Sequence, residues 1–364
     1  MDDAGLLGTP KSRRPVALHG PFAWHGAALR NDSRWQYRLE REDVAELDAA
    51  LRHAASHNVP LAALDRQAFP LRRLARKLAS IAEELENGCG IARLRGLPAS
   101  HWSRAQLETV WMGLATHLGT PVHQNAYAQL LREICDEGSD VGERYGQLQA
   151  AGGTFLSSRA RTASNAELRF HTDRCDIVGL LCLRQALHGG ISKVASSVAV
   201  HNAMLVSHSA LAALLYEDLP RSRMGEENGG EHQWYMLPVW GVRDGRFTSH
   251  YSRTYVEAGQ LQEGVPRISA AYWRALDLLA ELADALCMQM TLRPGDMQFL
   301  NNHVIYHART AFADAPGRHK SRSLLRVWLS SPARALPRGQ EVLWRAVESG
   351  ELRGGIGQAP GNVQ

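Results

Sequence analysis

The chain has 364 residues, 45% apolar and 21% charged, the balance of a globular protein with its own core rather than a disordered or fibrous one. A formal charge of +4 is small for this length, and no basic run with interleaved aromatics occurs, so nucleic acid is not an expected partner. No apolar run approaches the roughly 20 residues of a membrane span, the acidic start Met1-Asp2-Asp3 does not read as a signal peptide, and five scattered cysteines without Cys-x-x-Cys spacing suit a reducing cytoplasm, so no membrane is expected either.

Residues 1–20 are aperiodic and rich in Gly, Pro and basic residues, a flexible N-terminal arm; a single domain over 21–335 and a C-terminal extension over 336–364 follow. Asp43 to His53 carries Val44, Leu47 and Leu51 at helical spacing. Leu71 to Leu85 repeats the pattern and stops at Asn87-Gly88. Gly90 to Leu97 alternates as a strand does. Ser103-x-x-Gln106 is a capping box opening a helix to about Leu118, broken by Gly119-Thr120-Pro121. The polar, Gly/Ser-rich stretch 136–167 reads as a surface loop or a lid. Leu168 to Asp173 and the apolar run Ile177 to Leu183 read as strands, with a turn at His188-Gly189-Gly190. Ser192 to Val200 is strand-like and enters a helix near His201, and Ala210 to Tyr216 looks helical. Pro220 to Gly230 is a polar loop. Short strands are expected at Trp234–Arg243, Arg246–Ser249 and from Tyr251 onward, around the hairpin signal Asp244-Gly245. A helix spans Ala270 to Met288, and strands near 297 and 325 close the core. Short strands with Gly turns and a few helices make an α+β protein, a β sandwich or small barrel with helical decoration.

Chemistry concentrates in the second half. On a strand, His171 and Asp173 face the same way and offer one nitrogen and one oxygen to one point, two thirds of a two-His-one-carboxylate set suited to non-haem Fe(II). Alone, His-x-Asp is weak. Downstream, Asn302-His303-Val304-Ile305-Tyr306-His307-Ala308-Arg309-Thr310 offers a second histidine. His303 and His307 are four apart, and Val304 stands where a zinc protease would need its general-base Glu. Beyond them, Arg322, Leu324, Arg326 and Trp328 share one face of a strand. Two arginines on an otherwise apolar strand need anionic partners, and a dicarboxylate would supply one.

Taken in order, His171-Thr172-Asp173, Gly189-Gly190-Ile191-Ser192, Asn302 to His307 and Arg322-x-x-x-Arg326 resemble the signature of the taurine dioxygenase-like (TauD/TfdA-type, clavaminate synthase-like) Fe(II)/2-oxoglutarate-dependent oxygenases. The resemblance runs from about Trp24 to Pro332. It implies a double-stranded β-helix (jelly-roll) core with flanking α-helices, which spacing alone does not give. It implies Fe(2+) on His171, Asp173 and His307, with His303 structural; 2-oxoglutarate held by Arg322 and Ser192, with Arg318 and Ser196 as competitors; and O2 as the oxidant. Arg326 takes the position that meets a substrate acid or the site floor. Tyr251, Arg253 and Trp240 lie where relatives line the substrate pocket, and Cys175 is expected to pack.

The implied activity is hydroxylation of a C–H bond of a small molecule, with succinate and CO2 as coproducts. Asp173 argues against halogenation, since halogenating relatives lack that carboxylate. A 2-oxoglutarate-independent jelly-roll metalloenzyme would have little use for Arg322, and a non-catalytic jelly-roll binding protein would not need the complete ligand set. Relatives are often dimers or tetramers, so a homo-oligomer is compatible with the resemblance.

Overall fold

The computed structural model describes residues 15–150, 153–223, 226–227, 231–317 and 321–357, so most of the expected N-terminal arm, and Arg318, lie outside the described residues. Six helices matter here: α1 (Arg41–Ser56), α2 (Leu74–Glu86), α3 (Arg104–Thr116), α4 (Ser197–Leu214), α5 (Arg253–Leu261) and α6 (Ala270–Leu286). The strands that build the two principal sheets are β1 (Gln36–Arg38), β2 (Ile91–Arg95), β3 (Thr120–Pro121), β4 (Leu131–Ile134), β5 (Leu168–His171), β6 (Ile177–Arg184), β7 (Ser192–Ser196), β8 (Met288–Met290), β9 (Met297–Asn301), β10 (Ile305–Arg309) and β11 (Ser323–Ser330).

The larger sheet runs β1-β2-β9-β6-β11-β3, with β4 also on β11, and the smaller runs β8-β7-β10-β5. Only the β1–β2 pairing is parallel in these two sheets. Side-chain alternation on β11 explains the layering. Leu325, Val327 and Leu329 point to one face and join Leu47, Leu78, Ile81 and Trp111 of α1 to α3 in one apolar cluster. Leu324 and Trp328 point to the other face and join Val194 and Tyr306 of the smaller sheet. The protein is α+β, and the space between the sheets is where the chemistry-bearing side chains collect.

Local signals produce these elements. Ser103 accepts from the Gln106 N–H at 3.3 Å and Gln106 returns the bond to the Ser103 N–H at 3.0 Å, the capping box that starts α3. Helix α4 begins at Ser197, earlier than the sequence pattern suggests, because Ser196 caps it through the Ala199 N–H at 3.0 Å. That helix is long and apolar enough to cross a membrane by length and composition alone, at 18 residues and mean hydropathy 1.3. It kinks at His208, and Val198, Val200, Met204 and Ala212 are buried in the main apolar cluster.

Two expectations fail locally. The chain from Tyr251 onward is not a strand: α5 begins at Arg253, with Arg253 and Glu257 paired one turn apart. The stretch 136–167 is not simply loop. It holds the helices Val141–Tyr145 and Ser158–Thr162 and a hairpin of Gln147–Ala150 with Gly153–Leu156. After β11 the chain returns over the 219–237 hairpin, where Leu336, Leu343, Trp344 and Val347 cluster with Tyr235 and Leu237. Arg353 is fully buried and donates to Asp176 Oδ1 at 2.8 Å.

Candidate metal centre and its arginines

Strand β5 places His171 directly opposite His307 of β10, so the two imidazoles emerge side by side with centroids 4.2 Å apart. Asp173 lies just beyond the end of β5, so simple strand alternation does not aim it. The turn does. Thr172 donates its N–H to the Tyr251 carbonyl at 2.8 Å, Tyr251 returns its N–H to Thr172 Oγ1 at 3.0 Å, and the Asp173 N–H donates to Asn302 Oδ1 at 3.3 Å. Asp173 Oδ1 then lies 3.7 Å from His171 Nε2, and Oδ2 lies 3.7 Å from His307 Nε2. One donor atom from each of the three residues falls within 4.8 Å of the others, a spacing one cation can bridge.

The protonation states suit a cation. His171 Nδ1 sits 2.8 Å from the Arg169 carbonyl, which fixes its proton there and leaves the Nε2 lone pair toward Asp173. Burial pushes the His307 imidazolium down to about 3, with His171 adding to it, and burial also lowers His171. Both rings are neutral at ordinary pH, with lone pairs that a cation could use. Burial opposes the charge on Asp173, but Arg326, the two imidazoles and the Trp328 indole outweigh it and hold the carboxyl below its usual range. His307 Nδ1 is buried with no hydrogen-bond partner among the described residues. Two neutral nitrogens and one carboxylate around a shared point fit a divalent transition metal.

His303, the other histidine in the motif, is not part of this cluster. Its Nε2 is 2.7 Å from Asp176 Oδ1 and its Nδ1 is 2.8 Å from Thr248 Oγ1, a buried structural network.

A cavity opens between the sheets from the His171–His307 pair, lined also by Ser192, Arg309, Arg322, Leu324 and Arg326. The shared face of Arg322, Leu324 and Arg326 is as the strand pattern predicts. Arg322 is buried, with Nη1 free of any partner among the described residues, and its guanidinium sits 5.2 Å from the Phe312 ring. Burial pushes it down to about 10. The positive φ of Gly190 (+66°) lets the backbone approach this group: a Cβ there would lie 2.8 Å from Arg322 Nε. Ser192 is near the same wall and donates to Gln298 Oε1 at 3.0 Å.

Arg309 was not singled out by sequence, although it stands two residues after His307. It is buried beside Arg322 and over the same Phe312 ring at 4.8 Å, and burial with the Arg322 charge pushes it down to about 9. Its Nη2 donates to the carbonyls of Arg161, Ser164 and Ala166, while Nε and Nη1 are buried without partners among the described residues. The signal was present: a charged residue at i+2 from a ligand on a buried strand shares its face.

Several expected residues are elsewhere. Arg253 does not reach the cavity. It pairs with Glu257 at 3.1 Å and Asp277 at 2.9 Å on the groove lined by Phe170 and Lys193, residues that alternate with His171 and Ser192 and so face away. Tyr251 is 2% exposed and serves through its backbone bonds to Thr172, its ring packed 5.6 Å from Tyr306. Trp240 is core and donates to Tyr306 Oη at 2.9 Å. Cys175 is packed, 3.1 Å from Asn302 Nδ2. Ser196, the alternative to Ser192, is committed to capping α4 and to the Phe22 carbonyl at 2.5 Å.

Comparison with known proteins gives a consistent match. The family described as taurine catabolism dioxygenase TauD, TfdA matches residues 57–328. FR-33289 synthase of Streptomyces rubellomurinus is 32% identical over 326 residues, 87% of this chain and 91% of that protein. Among solved structures, asparagine oxygenase in complex with Fe(II), 2S,3S-3-hydroxyasparagine and succinate superposes with a TM-score of 0.62 at 17% identity, over 90% of this chain and all of that one. The non-heme iron oxygenase OrfP in complex with Fe and alpha-ketoglutaric acid superposes with a TM-score of 0.58 at 18% identity, over 82% of this chain and 95% of that one.

Proposed function

The chain belongs to the TauD, TfdA family and is a 2-oxoglutarate-dependent dioxygenase using iron and O2; from that premise we propose that His171, Asp173 and His307 hold the Fe(II), that Arg322 and Ser192 anchor 2-oxoglutarate, and that the enzyme hydroxylates a C–H bond of a small molecule, releasing succinate and CO2. The observation that carries this reading is the convergence of two neutral imidazoles and one ionised carboxylate, the imidazoles lining a cavity that is also lined by a buried guanidinium with a free N–H among the described residues. The alternation of strands between two facing sheets supports a jelly-roll core for the same domain.

Bound iron and 2-oxoglutarate together convert O2 into an oxidant strong enough for an unactivated C–H bond. The protein does the rest. His171 is held in one tautomer by the Arg169 carbonyl, and Asp173 is fixed by Trp328 and Arg326. Arg322 offers a bidentate fork to a distal carboxylate in a setting where burial strengthens the attraction. Ser192 adds a hydroxyl, and Leu180, Leu292 and Leu324 exclude water around the cosubstrate.

The test is an anaerobic titration of the purified protein with Fe(II) and then 2-oxoglutarate, followed by the visible metal-to-ligand charge-transfer band. A band that needs both additions supports the reading and justifies a substrate screen scored by succinate. Iron binding without a band favours a metalloenzyme that does not use 2-oxoglutarate.

A further inference from the structure

The proposed cosubstrate site uses Arg322 and leaves the buried guanidinium beside it unexplained. Arg309 and Arg322 both line the cavity, both are buried, and both lie over the Phe312 ring, at 4.8 and 5.2 Å. Arg309 pairs directly with Ser192 across the β7–β10 ladder, and directly opposed residues share a face of the sheet. It therefore stands beside the hydroxyl assigned to 2-oxoglutarate. Asp136 attracts Arg309 and Asp314 attracts Arg322, both from beyond ion-pair distance, while the Arg322 charge repels Arg309. Two like charges held out of water need an anion close by.

Arg309 has a second engagement, away from the cavity. Its Nη2 donates to the carbonyls of Arg161 at 3.3 Å, of Ser164 at 2.9 Å and of Ala166. These acceptors end the helix Ser158–Thr162 and lead into β5. Carbonyls left over at the end of a helix favour a cation. Next to them, the Phe312 N–H donates to the Asn165 carbonyl at 3.0 Å, so the segment rests on Arg309 and on the backbone of Phe312. Thr162, on the same segment, lines the cavity. The Nε and Nη1 of Arg309 stay buried without partners among the described residues. One nitrogen of this side chain thus holds a wall of the cavity, and two are left over beside Arg322.

We propose that Arg309 couples 2-oxoglutarate to this wall: the distal carboxylate held by Arg322 also offsets the charge of Arg309, and Arg309 then keeps Arg161, Ser164 and Ala166 in place. This rests on the reading of Arg322 as the cosubstrate anchor. Without 2-oxoglutarate, repulsion from Arg322 works against the seat of Arg309, and the segment before β5 is loosened. With it, one carboxylate serves both guanidinium groups and the segment tightens. The coupling is reciprocal, so a change that frees the segment from Arg309 also weakens 2-oxoglutarate. Arg309 is a positioning residue, and the wall that carries Thr162 is set by the cosubstrate.

The experiment follows hydrogen exchange of peptides spanning residues 157–167 in the anaerobic Fe(II) protein, with and without 2-oxoglutarate. The charge-transfer band confirms that the cosubstrate has bound. In the parent, 2-oxoglutarate should slow exchange in 157–167 and leave α3, packed on the far face of the larger sheet, unchanged. Arg309→Gln should bind 2-oxoglutarate about tenfold more weakly, the worth of one charge-assisted contact. At saturating cosubstrate its 157–167 peptides should still exchange fast. A residue that only props up the segment would loosen it in the variant but give no response to 2-oxoglutarate in the parent. A formed band with an unresponsive parent segment therefore overturns the inference and leaves the cosubstrate reading intact, whereas a missing band overturns the cosubstrate reading itself. An Arg309→Gln protein whose segment responds as the parent's does also overturns the inference. Should that variant not fold, Arg309→Lys takes its place, keeping the charge but offering one nitrogen where Arg309 has three. It is expected to bind 2-oxoglutarate with a segment that no longer responds, and a full response overturns the proposal.

Discussion

The Trp328 indole N–H donates to Asp173 Oδ2 at 2.9 Å, the same oxygen that His307 and Arg326 face. The bond fixes the carboxylate plane, and such supporting contacts typically govern metal affinity by about 10–100-fold. Trp328→Phe keeps the ring that packs in the core but removes the donor. Fe(II) affinity should fall by about that factor in an anaerobic titration, with little change in melting temperature. Unchanged affinity would mean that Arg326 alone orients Asp173.

Removing a ligand and removing the cosubstrate anchor should separate cleanly. His171→Ala should lose iron binding and turnover together. Arg322→Ala should keep its iron but need far more 2-oxoglutarate, read as a KM rise of about 10–100-fold for the loss of a bidentate charged contact. Normal turnover by His171→Ala would remove the metal assignment.

Gly190 acts through Arg322. Its φ is positive, and an added Cβ would meet the guanidinium Nε at 2.8 Å. Gly190→Ala should push Arg322 out of line and raise the KM for 2-oxoglutarate, while a titration of iron alone stays as in the parent. An unchanged KM would show that the guanidinium can shift without losing its ligand.

His303 should behave as a structural residue. It bridges Asp176 and Thr248 inside the core, and removing one partner of such a buried pair costs about 3 kcal/mol. His303→Ala should unfold at lower denaturant yet bind one Fe(II) per chain. A variant that is stable but cannot bind iron would exchange the roles of His303 and His307.

The metal-free protein should weaken in acid in two stages. His171, His250, His303 and His307 are all held below their usual range by burial, His307 to about 3. They stay neutral when folded but protonate in the unfolded chain near pH 6.5, so below that value the unfolded state binds more protons. Stability is full above about pH 6.5 and declines as the pH falls. Asp173 and Asp176 are likewise held low, so their contribution is present above about pH 4 and is lost in more acid solution. Melting temperatures between pH 8 and pH 3 check this; a rise from pH 7 to pH 5 would contradict it.

What could be read from the sequence was what is local. The capping box at Ser103, the apolar period of α2 and the order of His171, Asp173, His307 and Arg322 need only neighbours within a few residues or a spaced motif. Residues 251–256 misled because Tyr251, Thr254, Tyr255 and Val256 favour strands, whereas packing of α5 against the Leu219–Ser222 strand decides for helix. The 147–156 hairpin was hidden by its polar composition. The register that sets Arg132 opposite Arg326 was not legible either, because the two lie 194 positions apart and face each other only once β4 joins β11. Arg253 differs in the opposite way: the right kind of residue close to β5, but carried on the first turn of α5 and drawn to Glu257 and Asp277 on the outer groove.

The bond between Arg353 and Asp176 joins residues 177 positions apart. Asp176 lies three residues past Asp173, and Gly354 and Gly355 pack against the Arg174 carbonyl, so the turn that follows Asp173 is covered by chain that is synthesised long after it. At about 5–20 residues per second, the ribosome takes roughly 9–35 s to travel from one partner to the other. During that interval the nascent chain can pair its sheets, while Asp176 has His303 and the Ser331 N–H but not yet the Arg353 guanidinium.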